Sequence, residues 1–172
     1  IDTKILTSWN TLMVSALLRA SKDEKAKILL DTLLHSLYVN GVLYHQLVFG
    51  SSLKVEGLLE DYAFLIEALI VAKEEKYLEL AQQLAQEALK KFYKEGVWYL
   101  SDKAFKAKAP LEDNSYKSAM ATMIKNLFAL SKLNHDESLH VKAKGMLESV
   151  AGSLKKYPHA YPEAIKSVLF YM

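Results

Sequence analysis

The chain has 172 residues, of which 51% are apolar and 24% charged, a balance that suits one globular domain with a sizeable core. Its net formal charge is only +2, and its lysines are spread along the sequence, which argues against a nucleic-acid-binding face. The lack of cysteine excludes disulfides, thiolate metal sites and dithiol redox chemistry within these residues, and no apolar run approaches the roughly 18 residues of a membrane span.

Helical periodicity covers most of the chain, whereas strand-like alternation is scarce. Few residues interrupt this pattern, since the sequence has six glycines and three prolines. The periodicity predicts seven helices, over residues 7–21, 23–38, 58–74, 76–94, 113–133, 136–156 and 161–172.

Two types of helix alternate along the chain. The third helix is apolar nearly all round, with Glu60, Asp61 and Glu67 as its only charges over 58–72, so it must be buried on most sides. The first helix has the same character, and the fifth has it less cleanly. The second and fourth helices each carry one apolar stripe and a polar far side. We therefore predict an all-α fold of hairpins, each made of one inner and one outer helix.

A repeat underlies this alternation. Ser8, Asp61 and Asn114 are spaced 53 residues apart, each near the predicted start of an odd-numbered helix, and Gly41–Tyr44 and Gly96–Tyr99 recur 55 residues apart as extended links. Such a repeat predicts a ring or a solenoid in which the odd helices point the same way. Their N-terminal ends, with the positive ends of the helix dipoles, would gather on one face, where we expect a site.

Four stretches resemble the YyaL-like proteins, which are related to the spermatogenesis-associated thioredoxin-domain proteins. They are Asp2–Asn10 (DTKILTSWN), Gly57–Glu67 (GLLEDYAFLIE), Asn114-Ser115 and Pro158–Pro162 (PHAYP), and together they span the whole chain. The resemblance implies an (α/α)6 toroid of six helical hairpins, similar to those of N-acylglucosamine 2-epimerases and several glycosidases. Residues 1–172 would be one all-α domain, the C-terminal half of that toroid, lacking its first half and the thioredoxin-like domain.

Two positions depart from the family pattern. Thr11 stands where the family usually has glycine after Trp-Asn, and Leu111–Ser115 (LEDNS) stands in place of Pro-Ser-Gly-Asn-Ser. The loss of both glycines weakens the expectation that the backbone approaches a ligand closely. Because Ile1–Lys4 is neither a signal peptide nor an initiation site, we expect a cytoplasmic piece of a larger protein.

Glu60 and Asp61 are the candidate catalytic residues. A carboxylate held out of water at the start of a buried helix can have a raised pKa and act as an acid or base. The alternative, which is the commoner, is that these acids satisfy free N–H groups at the helix start. Glu67, further along the same helix, is a buried charge that needs a partner.

The candidate substrate-binding residues share a place near the predicted rim: Trp9, Asn10, Tyr62, Asn114 and His159. Aromatic rings there could stack on sugars and amides could bind hydroxyls, although core packing is the commoner explanation for the aromatic residues. A glycosidase would pair Asp61 with Glu112 or Asp113 across the sugar, and an epimerase would use His45 with His159.

No cofactor and no metal are expected, since His135 and His140 are five residues apart and do not share a helix face. The first functional hypothesis is an interaction or substrate-holding module, whose partner is the missing half of the toroid or a second copy. The alternative is a carbohydrate-active enzyme, and a third is an accessory that presents substrates to a thioredoxin-like domain. The sequence supports both catalytic and non-catalytic interpretations. A sugar-like ligand is expected, and neither nucleic acid nor a membrane is expected as a partner.

Overall fold

A computed structural model describes residues 3–103 and 107–171 of the protein. That part of the chain has seven α-helices, which are α1 (Thr7–Arg19), α2 (Asp23–Leu37), α3 (Leu59–Ala72), α4 (Glu75–Phe92), α5 (Ala119–Asn134), α6 (Glu137–Lys156) and α7 (Pro162–Tyr171). It also has six short strands, which are β1 (Lys4–Leu6), β2 (Tyr38–Val39), β3 (Val42–Leu43), β4 (Gln46–Val48), β5 (Tyr93–Lys94) and β6 (Val97–Trp98). A 3-10 turn, Pro158–Ala160, precedes α7.

The helices form two layers. The odd-numbered helices pack in succession, α1 on α3, α3 on α5 and α5 on α7, and make the inner layer. The even-numbered helices make the outer layer, because α2 packs on α1, α4 on α3 and α6 on α5. The predicted all-α fold of helical hairpins is therefore confirmed.

The burial of each helix follows its sequence pattern. Nearly every side chain of α3 is buried, from Leu59 to Leu69, because this helix is apolar all round. In contrast, α4 buries only one stripe, including Leu84 and Phe92, and leaves its polar face in water. One hydrophobic core runs between the layers from Val14 in α1 to Leu147 in α6. No helix of residues 3–103 and 107–171 combines the length and apolar content needed to cross a membrane.

Two tight hairpins link outer helices to the next part of the chain. Strand β2 pairs antiparallel with β3, and β5 pairs with β6, as the repeated links predicted. Their turns, Asn40-Gly41 and Glu95-Gly96, have positive φ at both residues, from 50° to 80°, which is the pattern of type I′ turns. Because Tyr38 and Tyr93 begin these strands, α2 and α4 end earlier than predicted.

A third strand pair was not predicted. Strand β1 pairs antiparallel with β4, with Ile5 opposite Leu47, and the N–H and hydroxyl of Thr7 then bond the carbonyls of His45 and Tyr44. These bonds anchor the start of α1 to the segment that follows the first hairpin. Three residues are too few to show strand-like alternation in a sequence.

The predicted start of α5 at residue 113 is wrong, since the helix begins at Ala119. Asp113 instead accepts the N–H of Ser118 at 2.6 Å and the N–H of Glu163 at 2.7 Å, and the Ser118 hydroxyl caps α5 by accepting the Ala121 N–H. Short polar side chains that bond nearby backbone compete with helix formation. Asn114 therefore lies in a loop, and the repeat at inner-helix starts holds for Ser8 and Asp61 only.

Candidate functional site

The starts of α1 and α3 meet at the side chain of Asp61. Its carboxylate, fully buried, accepts the Ser8 N–H at 3.0 Å and the Leu58 N–H at 2.8 Å, and its Oδ2 lies 2.8 Å from His45 Nδ1. Burial raises the pKa of the Asp61 carboxyl, while the hydrogen bonds from His45 and the Leu58 N–H oppose that rise. The geometry is that of a carboxylate capping two helices, the commoner of the two interpretations given for it.

His45 reaches this point because the first hairpin folds back over the start of α3. The hydrogen bond with Asp61 raises the pKa of the His45 imidazole, and the negative charge of Glu60 adds to that rise. Ligand atoms of His45, Glu60 and Asp61 lie within 4.8 Å of one another, an arrangement that can hold a metal ion. A cation there would compete with three donors already on Asp61. Sequence reasoning gave His45 an epimerase role and missed this pairing, which depends on the fold.

Glu60 lies beside this pair but faces outward. The Ser8 hydroxyl donates to Glu60 Oε1 at 3.1 Å, and the Tyr116 hydroxyl donates to Oε2 at 2.7 Å. The hydrogen bond to Glu60 raises the pKa of Tyr116 to about 12, which extends to higher pH the range in which this phenol is a donor. Glu60 thus links α1, α3 and the loop before α5.

A cavity of about 340 Å³ opens next to Glu60, between α3 and the loop before α5. Glu60 and Glu112 supply two carboxylates to its lining, Asn114 an amide, Tyr116 an aromatic ring and Lys117 an amine. The chemistry on offer is hydrogen bonding to hydroxyls, stacking and acid or base action by a carboxylate. Of the two predicted catalytic residues, Glu60 lines this cavity, whereas Asp61 is enclosed behind it.

The other predicted binding residues are placed differently. The prediction that Tyr62 lies at the rim is wrong, since Tyr62 is fully buried, packs edge-on against Phe92 and donates its hydroxyl to Glu87. Tyr62 thus follows the core-packing alternative, because α3 is surrounded by apolar side chains on all sides. The hydroxyl also accepts from Lys91.

Three candidates lie on the surface or near it. Trp9 exposes 60% of its side chain on α1, and Asn10 donates its amide to the Leu6 carbonyl at 2.7 Å. His159 is exposed in the 3-10 turn, with its ring against Tyr157. The structure therefore brings Glu60 and Asn114 to one cavity and leaves Trp9 and His159 in solvent.

A second group of charged residues surrounds Glu67, two turns into α3. This buried carboxylate bonds Arg19 and Lys125 at 2.8 Å each and also contacts the Lys117 amine. The prediction that Glu67 has hydrogen-bonding partners is confirmed. Sequence reasoning did not identify these partners, because they come from α1, α5 and the loop between α4 and α5.

Known proteins similar to this chain extend well beyond it. An uncharacterised protein of Caenorhabditis elegans, B0495.5, is 27% identical over 186 aligned residues, which cover 95% of this chain and 25% of the worm protein. Mouse Spermatogenesis-associated protein 20 is 27% identical over 198 aligned residues, covering 98% of this chain and 25% of the mouse protein. The chain thus spans about a quarter of the length of these curated relatives. The similarity supports a distant relationship to Spermatogenesis-associated protein 20, and no protein-family profile matches the chain.

Proposed function

We propose that this chain is an interaction module of a larger helical-hairpin protein, in which further hairpins pack against the open ends of its inner layer. The observation that carries this proposal is an apolar stripe on the free side of α1. In such an assembly the chain would form part of an (α/α) toroid, and the cavity beside Glu60 would lie on the face where the inner helices begin.

The α1 stripe consists of Trp9, Met13 and Ala16, at the i, i+4 and i+7 spacing of one helix face. Trp9 is 60% exposed and Met13 55% exposed, although both belong to a helix of the inner layer. The remaining sides of α1 pack on α2 and α3, so the stripe faces away from the layer. An apolar helix face of this kind usually marks a contact with another protein segment.

The opposite end of the layer has the same character. Helix α7 packs on α5 through Ala164 and Ser167, while Ile165 and Leu169 on its other face are 38% and 71% exposed. In the proposed assembly, each exposed face would pack against the next inner helix. The greater length of the worm and mouse relatives supports such neighbouring segments within one protein.

The test uses self-association as the readout of the α1 stripe. With no neighbouring hairpin present, the chain should associate reversibly through this stripe between micromolar and near-millimolar concentration in sedimentation velocity. Met13→Lys should abolish the association, because it places a charge in the contact, while Val141→Lys on the outer helix α6 should not. A chain that stays monomeric throughout this range would contradict the proposal.

Fluorescence gives a second measure of the same contact. The chain has two tryptophans, and the indole N–H of the buried Trp98 has no hydrogen-bond partner within the described residues, so Trp98→Phe removes no such bond. In that variant Trp9 is the sole reporter. Its quenching by iodide should fall as the concentration rises, and adding Met13→Lys should remove this concentration dependence.

A second candidate function is carbohydrate binding or hydrolysis in the cavity. It is favoured by one specific observation, that Glu60 and Glu112 line the same cavity as the Tyr116 ring. Glycoside hydrolysis needs two carboxylates on opposite sides of a sugar, and an aromatic ring can hold the sugar face. A glycan-binding screen should then give ligands whose binding is lost in Tyr116→Ala, and any hydrolysis should disappear in Glu60→Gln. A screen without ligands would contradict this candidate.

A further inference from the structure

The charged cluster in the middle of the inner layer joins four of the structural elements. Its acids are Glu67 on α3 and Glu163 on α7, whose side chains are 3% and 1% exposed. Glu67 bonds Arg19, Lys117 and Lys125, while Glu163 contacts Lys125 and bonds Lys166 at 3.1 Å; together these six residues are called the inner-layer cluster. Cationic and acidic side chains thus alternate from α1 across to α7.

The cluster has more positive than negative groups. Four cationic side chains share two carboxylates. The buried Lys117 and Lys125 balance Glu67 and Glu163, so the formal excess of two positive charges lies with the half-exposed cations at the edges of the cluster. A local excess of positive charge can be relieved by the release of protons or by the binding of an anion. Burial and the nearby charge of Lys125 lower the pKa of Lys117 to about 7, with Glu163 acting in the opposite direction. Burial likewise lowers the pKa of Lys125.

The nearby acids do not cancel this excess. Asp61 and Asp113 accept backbone N–H groups at helix starts, and Glu60 accepts the hydroxyls of Ser8 and Tyr116. Their oxygens are therefore already hydrogen-bonded to other donors, and none of these three acids forms an ion pair with the inner-layer cluster in the described part of the chain.

The inner-layer cluster is open to solvent at two edges. Arg19 and Lys166 expose 55% and 61% of their side chains, and Lys117 also lines the cavity beside Glu60. Solvent therefore reaches Arg19 and Lys166 directly and reaches Lys117 through the cavity.

The Ser15 hydroxyl, which has no hydrogen-bond partner among the described residues, lies at the level of Glu67 along the inner layer. Helices α1 and α3 run parallel, since Ser8 meets Glu60 near their starts and Arg19 meets Glu67 further on. Seven residues make almost two helical turns, so Ser15 lies on the face of α1 that carries Ser8, level with Glu67. The Ser15 hydroxyl is buried and has no partner among residues 3–103 and 107–171. Buried hydroxyls are rarely left unpaired, which favours a bound water or ligand atom here.

We propose that the inner-layer cluster is a binding site for a small oxyanion, the carboxylate or phosphate group of a ligand, held between Arg19, Lys117 and Lys166. Guanidinium and ammonium groups bind such oxygens through charge-assisted hydrogen bonds, and the guanidinium fork suits two of them at once. The bound anion would offset the excess positive charge. This inference does not depend on the α1 stripe.

The test is a titration of the chain at constant ionic strength with inorganic phosphate, with glucuronate and with uncharged glucose. Backbone amide resonances near Arg19, Lys117 and Lys166 should shift saturably with an oxyanion and not with glucose. A shift with phosphate alone would identify a phosphate-bearing ligand, and a shift with glucuronate alone would identify a carboxylate-bearing one.

Two variants test the cationic groups. Arg19→Gln and Lys166→Gln should each raise the dissociation constant about tenfold, as loss of one charge-assisted hydrogen bond implies. Lys155→Gln, an exposed lysine on α6, should leave it unchanged.

A second variant keeps the proposal testable if those two fold poorly. Lys117→Met removes one positive charge and leaves Glu67 bonded to Arg19 and Lys125. It should raise the melting temperature without phosphate and remove the additional, saturable stabilisation by phosphate that the parent chain shows. Phosphate also stabilises proteins by general exclusion from their surface, so an increase of equal size in all variants would overturn the proposal. The absence of any saturable shift with phosphate and glucuronate would overturn it as well.

Discussion

The Asp61 carboxylate shows how one side chain can be more important for folding than for chemistry. It accepts hydrogen bonds from the N–H groups of Ser8 and Leu58, at the starts of two helices that are far apart in sequence. Neither Leu6 nor Leu58, the residues before these helices, has a side chain that could cap them. The charge of Asp61 therefore serves both helix starts, and Glu60 is the residue left facing a cavity.

Asp61→Asn is expected to destabilise the fold by about 1–3 kcal/mol, because an amide has one acceptor oxygen and turns its NH2 toward a donor. Urea unfolding monitored by circular dichroism would measure the change. Glu112→Gln is the matched control, since Glu112 is an exposed acid of the neighbouring cavity. Equal stabilities of Asp61→Asn and the parent chain would show that these bonds contribute nothing net.

The His45–Asp61 pair predicts a pH dependence with a definite sign. The folded-state pKa of His45 is raised above its unfolded value of about 6.5, so its contribution to stability is complete below that value and is lost as the pH rises through the folded pKa. The free energy of unfolding lost in His45→Gln should therefore be larger at about pH 5.5 than at about pH 9. His159→Gln, at an exposed histidine, is the control. A loss that grows toward alkaline pH would contradict the pairing.

At the scale of single elements, backbone geometry sets the two repeated hairpins. Both turns place their first central residue at positive φ, 52° at Asn40 and 50° at Glu95, and both follow it with glycine. Asparagine tolerates this conformation better than glutamate does, so the second turn is the more strained of the two. The repeat in the sequence showed where the turns lie, and only the backbone angles revealed this difference.

Exchanging these residues tests that difference directly. Glu95→Asn should stabilise the protein by up to about 1 kcal/mol, and Asn40→Glu should destabilise it by a similar amount, because one relieves and the other introduces strain at positive φ. Thermal unfolding of both single variants would measure the two effects. Changes of the same sign in both variants would refute the explanation from backbone strain.

At the scale of the whole molecule, the inner layer is joined through Glu67. Its carboxylate connects Arg19 of α1 with Lys125 of α5, while Asp113 connects the start of α5 with that of α7. These polar connections lie within the inner layer, whereas the hydrophobic core lies between the inner and the outer layers. A buried charge with several partners is costly to remove, because the partners lose their counter-charge.

Glu67→Gln is expected to destabilise the protein by about 3–5 kcal/mol, since the buried Lys117 and Lys125 amines would lose a counter-charge. Denaturant unfolding should show this loss, and Glu79→Gln on the exposed face of α4 should leave stability within about 0.5 kcal/mol of the parent chain. If Glu67→Gln were as stable as Glu79→Gln, the cluster would have no net structural role.

The sequence by itself determined the helical class, the alternation of inner and outer helices and the place of both hairpin links. These features depend on local periodicity and on turn residues, which are properties of neighbouring positions. The tertiary structure decided where α5 begins, which way Tyr62 turns and which partners surround Asp61 and Glu67. The start of α5 depends on which polar side chains bond the nearby backbone. The other outcomes depend on contacts between residues far apart in the sequence, as in Ser8 with Asp61 and Arg19 with Glu67. Periodicity carries no information about such pairs, because the packing of one helix on another selects them.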